Sequence, residues 1–189
     1  RSARGDDSQF KNPLAPKLPH FAARAKQVIF LFMHGGVSHV DSFDHKPLLA
    51  RYHGRDPHTV FQVEPTQFNN VGRVMMSPWR FRPYGQCGRL VSALFPNVAR
   101  HVDDLAFIHS MTSKTNTHGP GCVFMNTGQV AEGFPSAGAW FSFAMGKENE
   151  NLPAYVAIPD VRGIPPSGPA NWTAGFLPAE HQGIAFNAS

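Results

Sequence analysis

Three short, mostly apolar runs punctuate the chain. VIFLFM covers Val28–Met33, DLAFIHS covers Asp104–Ser110, and PAYVAI covers Pro153–Ile158. A continuous apolar run of this length suits a strand buried on both faces, as in the middle of a parallel sheet. We therefore predict that these three runs are strands of one mainly parallel sheet.

The segments between the runs carry helical patterns. Pro47–Tyr52 predicts a helical turn or two, and Leu90–Val102 spaces its apolar residues at helical intervals. Pro120–Asn126 predicts the first turns of another helix, and Ser136 is a good N-cap for AGAWFSFAMG. Residues 55–89, rich in Pro, Gly, Arg and Phe, predict an irregular excursion. Strands that alternate with helices indicate an α/β fold with a mainly parallel sheet flanked by helices.

The two ends of the chain look different from its middle. Residues 1–26 contain Pro13, Pro16 and Pro19 and show no periodicity, so we predict an extended lead-in. The sequence starts at Arg1 rather than Met and stops at Ser189 in a polar stretch. We expect it to be a piece of a longer protein.

Composition excludes some classes of function. The net charge is +4, but the basic residues are scattered rather than arranged in a stripe with interleaved aromatics, so nucleic-acid binding is not expected. No apolar run approaches the roughly 20 residues that span a bilayer, so we predict no transmembrane segment. Cys87 and Cys122 lack the spacing of a metal motif or a disulfide framework.

Ligand-type side chains crowd the segment that follows the first apolar run. In α/β sheets, ligands bind beyond the carboxyl ends of the strands. Imidazole and carboxylate groups are ligands of Zn and similar divalent ions, and Gly35-Gly36 allows a sharp turn. The alternative is that Asp and Ser serve here as ordinary turn and cap residues. The segment contains His34, Ser38, His39, Asp41, Asp44 and His45.

A second candidate, Thr117–Cys122, follows the second apolar run. A helix that starts here would offer unpaired N–H groups and a partial positive charge to an anion or to a nucleophile. Alternatively, His118 caps the helix, and Gly119 and Gly121 relax the turn. Because this segment follows a predicted parallel strand, we expect it to converge with His34–Asp44 at one edge of the sheet.

Four stretches of the chain resemble one known family. They are NPLAPKLPHF, KQVIFLFMHGGVSHVDSFDHKP, HSMTSKTNTHGPGCVFMNTG and PSAGAWFSFAMGKENENLPAYVAI. In this order and spacing the chain resembles the DUF1501 family, in the form abundant in planctomycete-type bacteria. The resemblance covers nearly the whole chain and implies membership of the alkaline phosphatase and sulfatase superfamily, whose α/β sandwich surrounds a largely parallel sheet.

The resemblance also implies where this piece sits in the domain. Residues 27–189 would be the N-terminal part of a single alkaline phosphatase-like domain. The EFGRTP-like segment and the Asp-His pair of relatives, which would supply further metal ligands, do not occur in the sequence. Family members usually begin with a twin-arginine or similar export signal, so the resemblance implies a periplasmic or otherwise exported protein.

The superfamily mechanism uses one or two divalent metals and a nucleophile at a helix start. By resemblance, His118 occupies the nucleophile position, as a phosphohistidine-type nucleophile, a metal ligand or a relic. Cys122 stands where sulfatases place an arginine, so formylglycine chemistry is not expected. The implied anion-binding residues are Gly119, Gly121 and Thr127. The implied ligands of a Zn or Ca ion are His34, His39, Asp41 and Asp44.

Two functions follow from the resemblance. The first is a metal-dependent, sulfatase-like or phosphatase-like hydrolase of a small-molecule or polysaccharide ester. The second is a non-catalytic exported protein that uses the same fold for binding or assembly at the cell envelope. The ligand-rich segment after Met33 favours the first, and the missing Ser, Thr or Cys nucleophile favours the second.

Overall fold

The computed structural model describes residues 12–22, 24–65 and 71–186. The chain divides into two compact units. The first unit runs through Gly35 and resumes at Thr112, and the second is Gly36–Met111. Residues 1–11 of the predicted lead-in lie outside the described residues.

Short helices and one hairpin build the second unit. Its two α-helices are short. Its strands form an antiparallel pair in which Phe81 is paired with Ser92 and Tyr84 with Arg89. In chain order the elements are α1 (His39–Ser42), α2 (Pro47–Arg51), a 3₁₀ turn (Pro57–Thr59), β1 (Phe81–Tyr84), β2 (Arg89–Ser92) and a 3₁₀ helix (Val98–Asp104).

The hairpin and the 3₁₀ helix supply the core of this unit. Val91, Ala99 and Val102 are buried together. Aromatic rings close the core, with the Phe43 ring centroid 5.0 Å from that of Phe95. Burying these side chains away from water is the main favourable term for so small a unit. The other partly buried residues that pack on this core are Tyr84 and Phe107.

A single carboxylate holds the turn between β1 and β2. Asp103 accepts hydrogen bonds from the backbone N–H groups of Gln86 (2.8 Å) and Cys87 (2.9 Å). These bonds, that from Cys87 foremost, lower the pKa of Asp103 below its usual value. The stability that Asp103 contributes is therefore present above the pKa of the unfolded chain and is lost as the pH falls through the lowered, folded pKa.

The first unit is built from two longer helices and short 3₁₀ segments. Its strands are only two residues long and pair in parallel, Val156 with Ile184 and Ala157 with Ala185. The elements are α3 (His118–Thr127), α4 (Ala137–Met145), β3 (Val156–Ala157), a 3₁₀ helix (Gly168–Trp172), a 3₁₀ turn (Ala179–His181) and β4 (Ile184–Ala185).

Hydrogen bonds fix both ends of α4. The Ser136 hydroxyl accepts from the backbone N–H of Ala139 (3.4 Å), as an N-cap does. Further along α4, the Ser142 hydroxyl lies 2.9 Å from Nδ1 of His181, and both residues are buried. At the C-terminal end, Lys17 donates its backbone N–H to the Met145 carbonyl (3.0 Å), so part of the lead-in packs on this helix.

The predicted parallel α/β sheet is wrong. Val28–Met33 forms no strand, and Ile29 and Leu31 are 82% and 84% exposed. Residues 105–110 also form no strand, and only Val156–Ala157 of the third run is paired. Within the described residues the sheets are one antiparallel and one parallel pair of strands. An apolar run becomes a strand only when another strand completes its hydrogen bonds, and composition does not provide that partner.

The structure confirms the helices predicted from local sequence signals, with one exception. The structure confirms helix α2 at Pro47, helix α3 over the predicted Pro120–Asn126, and Ser136 as the N-cap of α4. The helix predicted over Leu90–Val102 is wrong at its start, because Arg89–Ser92 pairs with Phe81–Tyr84 as β2. In that segment the strand pairing overrides the helical spacing of the apolar residues.

We expect Gly85→Ala to destabilise the second unit more than Gly88→Ala does. Both glycines have positive φ, +65° and +64°. Alanine in this left-handed conformation is strained by about 1–2 kcal/mol at either position. A Cβ at Gly85 would also stand 2.6 Å from the Asp103 carboxylate, whereas a Cβ at Gly88 meets nothing within 4 Å. Urea unfolding of both variants measures the difference, and equal losses would show that the Asp103 contact is unimportant.

Candidate functional site

The start of α3 presents free backbone donors. The N-cap residue Thr117 makes no side-chain capping bond, and the Gly121 N–H donates to the Thr117 carbonyl (2.8 Å). Pro120 has no N–H. Among the described residues, the N–H groups of His118 and Gly119 have no acceptor within the protein. Such donors, with the partial positive charge of a ten-residue helix, favour an anion.

Gly35 brings the segment after the first apolar run against His118. Its φ is +80°, which an L side chain adopts only with strain, and a Cβ there would lie 3.7 Å from Nδ1 of His118. The imidazole therefore lies close above the glycine α-carbon. His34 and His118 are both exposed, so a ligand in solvent can reach them.

Asp160 adds a carboxylate close to His34. Its oxygens accept from Nε (2.8 Å) and Nη2 (2.7 Å) of Arg162, and from the Arg162 backbone N–H (2.8 Å). The Arg162 side chain and backbone hold the pKa of Asp160 well below its usual range, and the charge of nearby His34 contributes in the same direction. Asp160 is thus a fixed negative charge already paired with an arginine.

Ser167 reaches the start of α3 from the loop that follows Asp160. Its φ of +66° makes it the one non-glycine residue with positive φ among those described. Its hydroxyl would lie 3.3 Å from a Cβ at Gly119, so the two residues are neighbours. We call His34, Gly35, His118, Gly119, Asp160 and Ser167 the His118 site.

A buried amide pair ties this loop to α3. Nδ2 of Asn171 donates to the carbonyls of Pro166 (2.8 Å) and Gly168 (2.9 Å), on either side of Ser167. Nδ2 of Asn126, on α3, donates to Oδ1 of Asn171 (3.0 Å). The position of Ser167 therefore follows from two asparagines that are themselves almost fully buried.

The other residues predicted for the α3 segment behave differently from His118. The N–H of Gly121 is used by Thr117, as described above. Thr127 is the last residue of α3, and its hydroxyl donates to the Val123 carbonyl (2.8 Å). The structure therefore does not place Thr127 with His118, because the helix separates them by about 14 Å. Cys122 is buried and free.

His39, Asp41 and Asp44 belong to the second unit. Asp41 accepts from the Ser38 hydroxyl (2.6 Å), and this bond is the main reason that its pKa is lowered. Asp44 pairs with Lys46 (2.9 Å), which likewise lowers its pKa. Within residues 12–22, 24–65 and 71–186, no group of three or more His, Cys, Asp or Glu side chains is arranged to hold a metal. The metal site stays a prediction.

A comparison with family models decides what the chain is. The model described as a protein of unknown function (DUF1501) matches residues 25–189. The chain belongs to the DUF1501 family. The search of curated proteins and the search of solved structures each found no match. The superfamily and the planctomycete form implied by the resemblance stay predictions.

The sequence pointed to some parts of the site in this DUF1501 chain and missed others. His34 and His118 were predicted, whereas Asp160 and Ser167 were not. The signal available for these two was their position in the Gly- and Pro-rich segment after the third apolar run.

No helix in the described part of the chain is long and apolar enough to cross a bilayer.

In the DUF1501 chain we expect Asn171→Ala to lower the free energy of unfolding by about 1–3 kcal/mol. The substitution removes the bond from the buried Asn126 amide to Asn171 and the bonds from Asn171 to the carbonyls of Pro166 and Gly168. Asn126 keeps its bond to the Cys122 carbonyl (2.9 Å). The control is Asn149→Ala, an exposed asparagine that only accepts from the Asn151 N–H, with an expected change within about 0.5 kcal/mol. Urea unfolding compares the two, and similar losses would contradict the role of the amide pair.

Proposed function

We propose that this DUF1501 chain is part of an exported hydrolase of phosphate or sulfate esters, with His118 as its nucleophile. The observation that carries the proposal is the exposed His118 imidazole, which lies against Gly35 at a helix start with two free N–H groups. A nucleophile beside donors for an anion is the arrangement that ester cleavage at phosphorus needs.

The ester anion is held before the reaction. Its oxygens accept hydrogen bonds from the N–H groups of His118 and Gly119 and face the positive end of the α3 dipole. The Ser167 hydroxyl, next to Gly119, is a further donor within this site. Arg162 does not serve as a free cation here, because its guanidinium is bonded to Asp160.

Hydrolysis then proceeds in two displacements. A ring nitrogen of His118 attacks phosphorus, the bond from phosphorus to the ester oxygen breaks, and the alcohol leaves after taking a proton from water. The hydroxide formed in that step next attacks phosphorus, the bond from nitrogen to phosphorus breaks, and hydrogen phosphate leaves with the neutral imidazole restored. A sulfate ester follows the same sequence at sulfur. Covalent catalysis of this kind divides one difficult step into two easier ones.

A divalent metal, Zn or Ca, is implied by the resemblance to the superfamily. The described residues do not fit such a centre, because Asp41 and Asp44 are bonded to Ser38 and Lys46 and no group of three ligands is present among them. A catalytic zinc site uses about three protein ligands. The steps above are therefore assigned to this chain's own residues.

An observation also favours a second function, non-catalytic binding or assembly at the cell envelope. The apolar residues Val28, Ile29, Phe30, Leu31 and Met33 are all exposed. Contiguous exposed apolar residues mark interaction surfaces in many proteins. A protein of this kind would show no turnover and would keep its binding function when His118 is replaced.

His118→Ala tests the choice between the two functions. If His118 is the nucleophile, the variant should lose turnover of aryl phosphate and aryl sulfate esters by about 10³-fold or more. The free energy of unfolding should change by less than about 0.5 kcal/mol, because the side chain is exposed. The measurements are initial rates and urea unfolding on the same preparations.

His20→Ala is the control for this experiment, since His20 is an exposed histidine of the same unit outside the His118 site. It should leave turnover unchanged. Equal turnover in wild type and His118→Ala would reject the nucleophile. A full-length protein with no turnover and no bound divalent metal by elemental analysis would support the non-catalytic function.

A further inference from the structure

Three exposed arginines gather on the surface of the second unit, around the turn that follows α2. Arg51 and Arg55 stand four residues apart, and their guanidinium carbons lie 5.5 and 5.8 Å from the centroid of the Tyr52 ring. Arg73 joins them from a later segment, because its Nη1 donates to the Gly54 carbonyl (2.9 Å). We call Arg51, Arg55 and Arg73 the arginine cluster, which the proposed function does not use.

Backbone hydrogen bonds hold Arg73 beside Arg55. The Gly54 N–H donates to the Val74 carbonyl (2.8 Å), and the Val74 N–H donates to the Arg55 carbonyl (2.9 Å). Gly54 has a φ of +79°, a conformation that glycine adopts readily. The fold therefore brings together arginines that the sequence scatters over more than 20 residues.

The arginine cluster has no carboxylate partner among the described residues. Asp56 follows Arg55 directly, but its Oδ1 accepts from the backbone N–H of His58 (2.9 Å) and so caps the 3₁₀ turn. Glu64 is exposed and forms no ion pair with the described residues. Ion pairs in the described part of the chain are instead those of Lys46 with Asp44, His109 with Asp44 and Arg162 with Asp160.

The charge of this surface is positive. Residues 51–60 and 71–79 contain the three arginines and one carboxylate, that of Asp56, which gives a net charge of +2. Like charges at positions i and i+4, as at Arg51 and Arg55, repel each other. An anion that binds between or beside them removes this repulsion, so the surface favours a negatively charged partner.

The guanidinium groups also keep most of their hydrogen-bond donors. Each guanidinium has five N–H groups. Within the described residues, Arg73 uses Nη1 for the Gly54 carbonyl, whereas the side chains of Arg51 and Arg55 donate no hydrogen bond. The planar fork of a guanidinium matches the oxygens of a sulfate or phosphate group, so these donors suit such an oxyanion.

The contacts of Tyr52 argue against nucleic acid as the partner. Proteins bind single strands by stacking bases on aromatic rings beside basic residues. The Tyr52 ring instead contacts the guanidiniums of Arg51 and Arg55 and the edge of Phe61, whose centroid is 5.5 Å away. A base therefore has no open tyrosine face on which to stack, and charge remains the basis of recognition.

We propose that the arginine cluster binds a sulfated polysaccharide, with each guanidinium paired to one sulfate group. Such a polymer carries repeated, singly charged oxyanions on a chain without aromatic bases, and the cluster offers separate cations around a ring that is already occupied. The cluster shares no residue with the His118 site. Its failure would leave the proposed hydrolase untouched, and His118→Ala should bind the polysaccharide as wild type does.

The test titrates the whole chain into a fluorescently labelled heparin oligosaccharide and measures anisotropy at increasing NaCl concentrations. Heparin should bind saturably, with log Kd rising linearly with log salt. The double variant Arg51→Gln/Arg55→Gln should weaken binding at low salt by about tenfold or more, and it should reduce the salt slope by about two. Arg51→Lys/Arg55→Lys keeps both charges and should weaken binding by less than about threefold.

The matched control is Arg82→Gln/Arg100→Gln. It removes the same charge from exposed arginines of the same unit that contact neither Tyr52 nor Gly54. Its Kd should change by less than about twofold, because the salt-dependent attraction comes from cations in contact with the polymer. Arg73→Gln is a further variant of the arginine cluster, and it serves if the first double variant does not fold.

Three results would overturn the proposal. The first is a folded wild-type chain that shows no saturable heparin binding at low salt. The second is equal weakening by the control and by the cluster variants, because heparin would then respond to net charge alone. The third is tighter binding of single-stranded DNA or inorganic polyphosphate than of heparin at the same salt and polymer charge, because the partner would then be a phosphate chain.

Discussion

The buried hydrogen bond between Asn126 and Asn171 is the interaction on which the His118 site depends. Asn126 lies in α3 and Asn171 in the 3₁₀ helix that follows Ser167. Asn171 also bonds the carbonyls on both sides of Ser167. Leaving a buried polar group without its partner costs about 1–3 kcal/mol of stability. The loop therefore has one favourable position relative to the helix.

Elsewhere in the chain, side chains form the hydrogen bonds to backbone groups that long β-sheets supply in larger folds. Asp103 closes the turn between β1 and β2 through two N–H groups. Gln182 accepts from the Ala174 N–H (2.8 Å) and donates to the Trp172 carbonyl (2.9 Å). With strands of two to four residues, these contacts satisfy backbone groups that would otherwise be left without partners.

The same feature explains why the residues of the His118 site lie on loops and helix starts. His118 begins a helix, His34 and Gly35 lie in an irregular segment, and Ser167 occupies a strained turn. Residues in such positions have polar groups that regular structure does not consume, so they remain available to a ligand. The exposed apolar run Val28–Met33 leads directly into this site, which is why binding and catalysis are the two functions to distinguish.

Local sequence signals predicted the helices and pointed to His34, His118 and Gly119 as candidate site residues. Pro47 at a first turn, Ser136 as a cap and the glycine after Thr127 act within a few residues of one another, so they can be read along the chain. The same reasoning placed His118 at a helix start and noted the freedom of Gly35-Gly36 to turn. The match of residues 25–189 to DUF1501 likewise depends on sequence alone.

Tertiary structure decided the strands and the rest of the site. An apolar run does not say which segment will pair with it, and the structure left Val28–Met33 unpaired while pairing Arg89–Ser92, a stretch with helical spacing. Asp160 and Ser167 join His34 and His118 only because the chain folds back over more than 40 residues. Such contacts depend on the packing of distant segments, whose energies no local pattern of residues encodes.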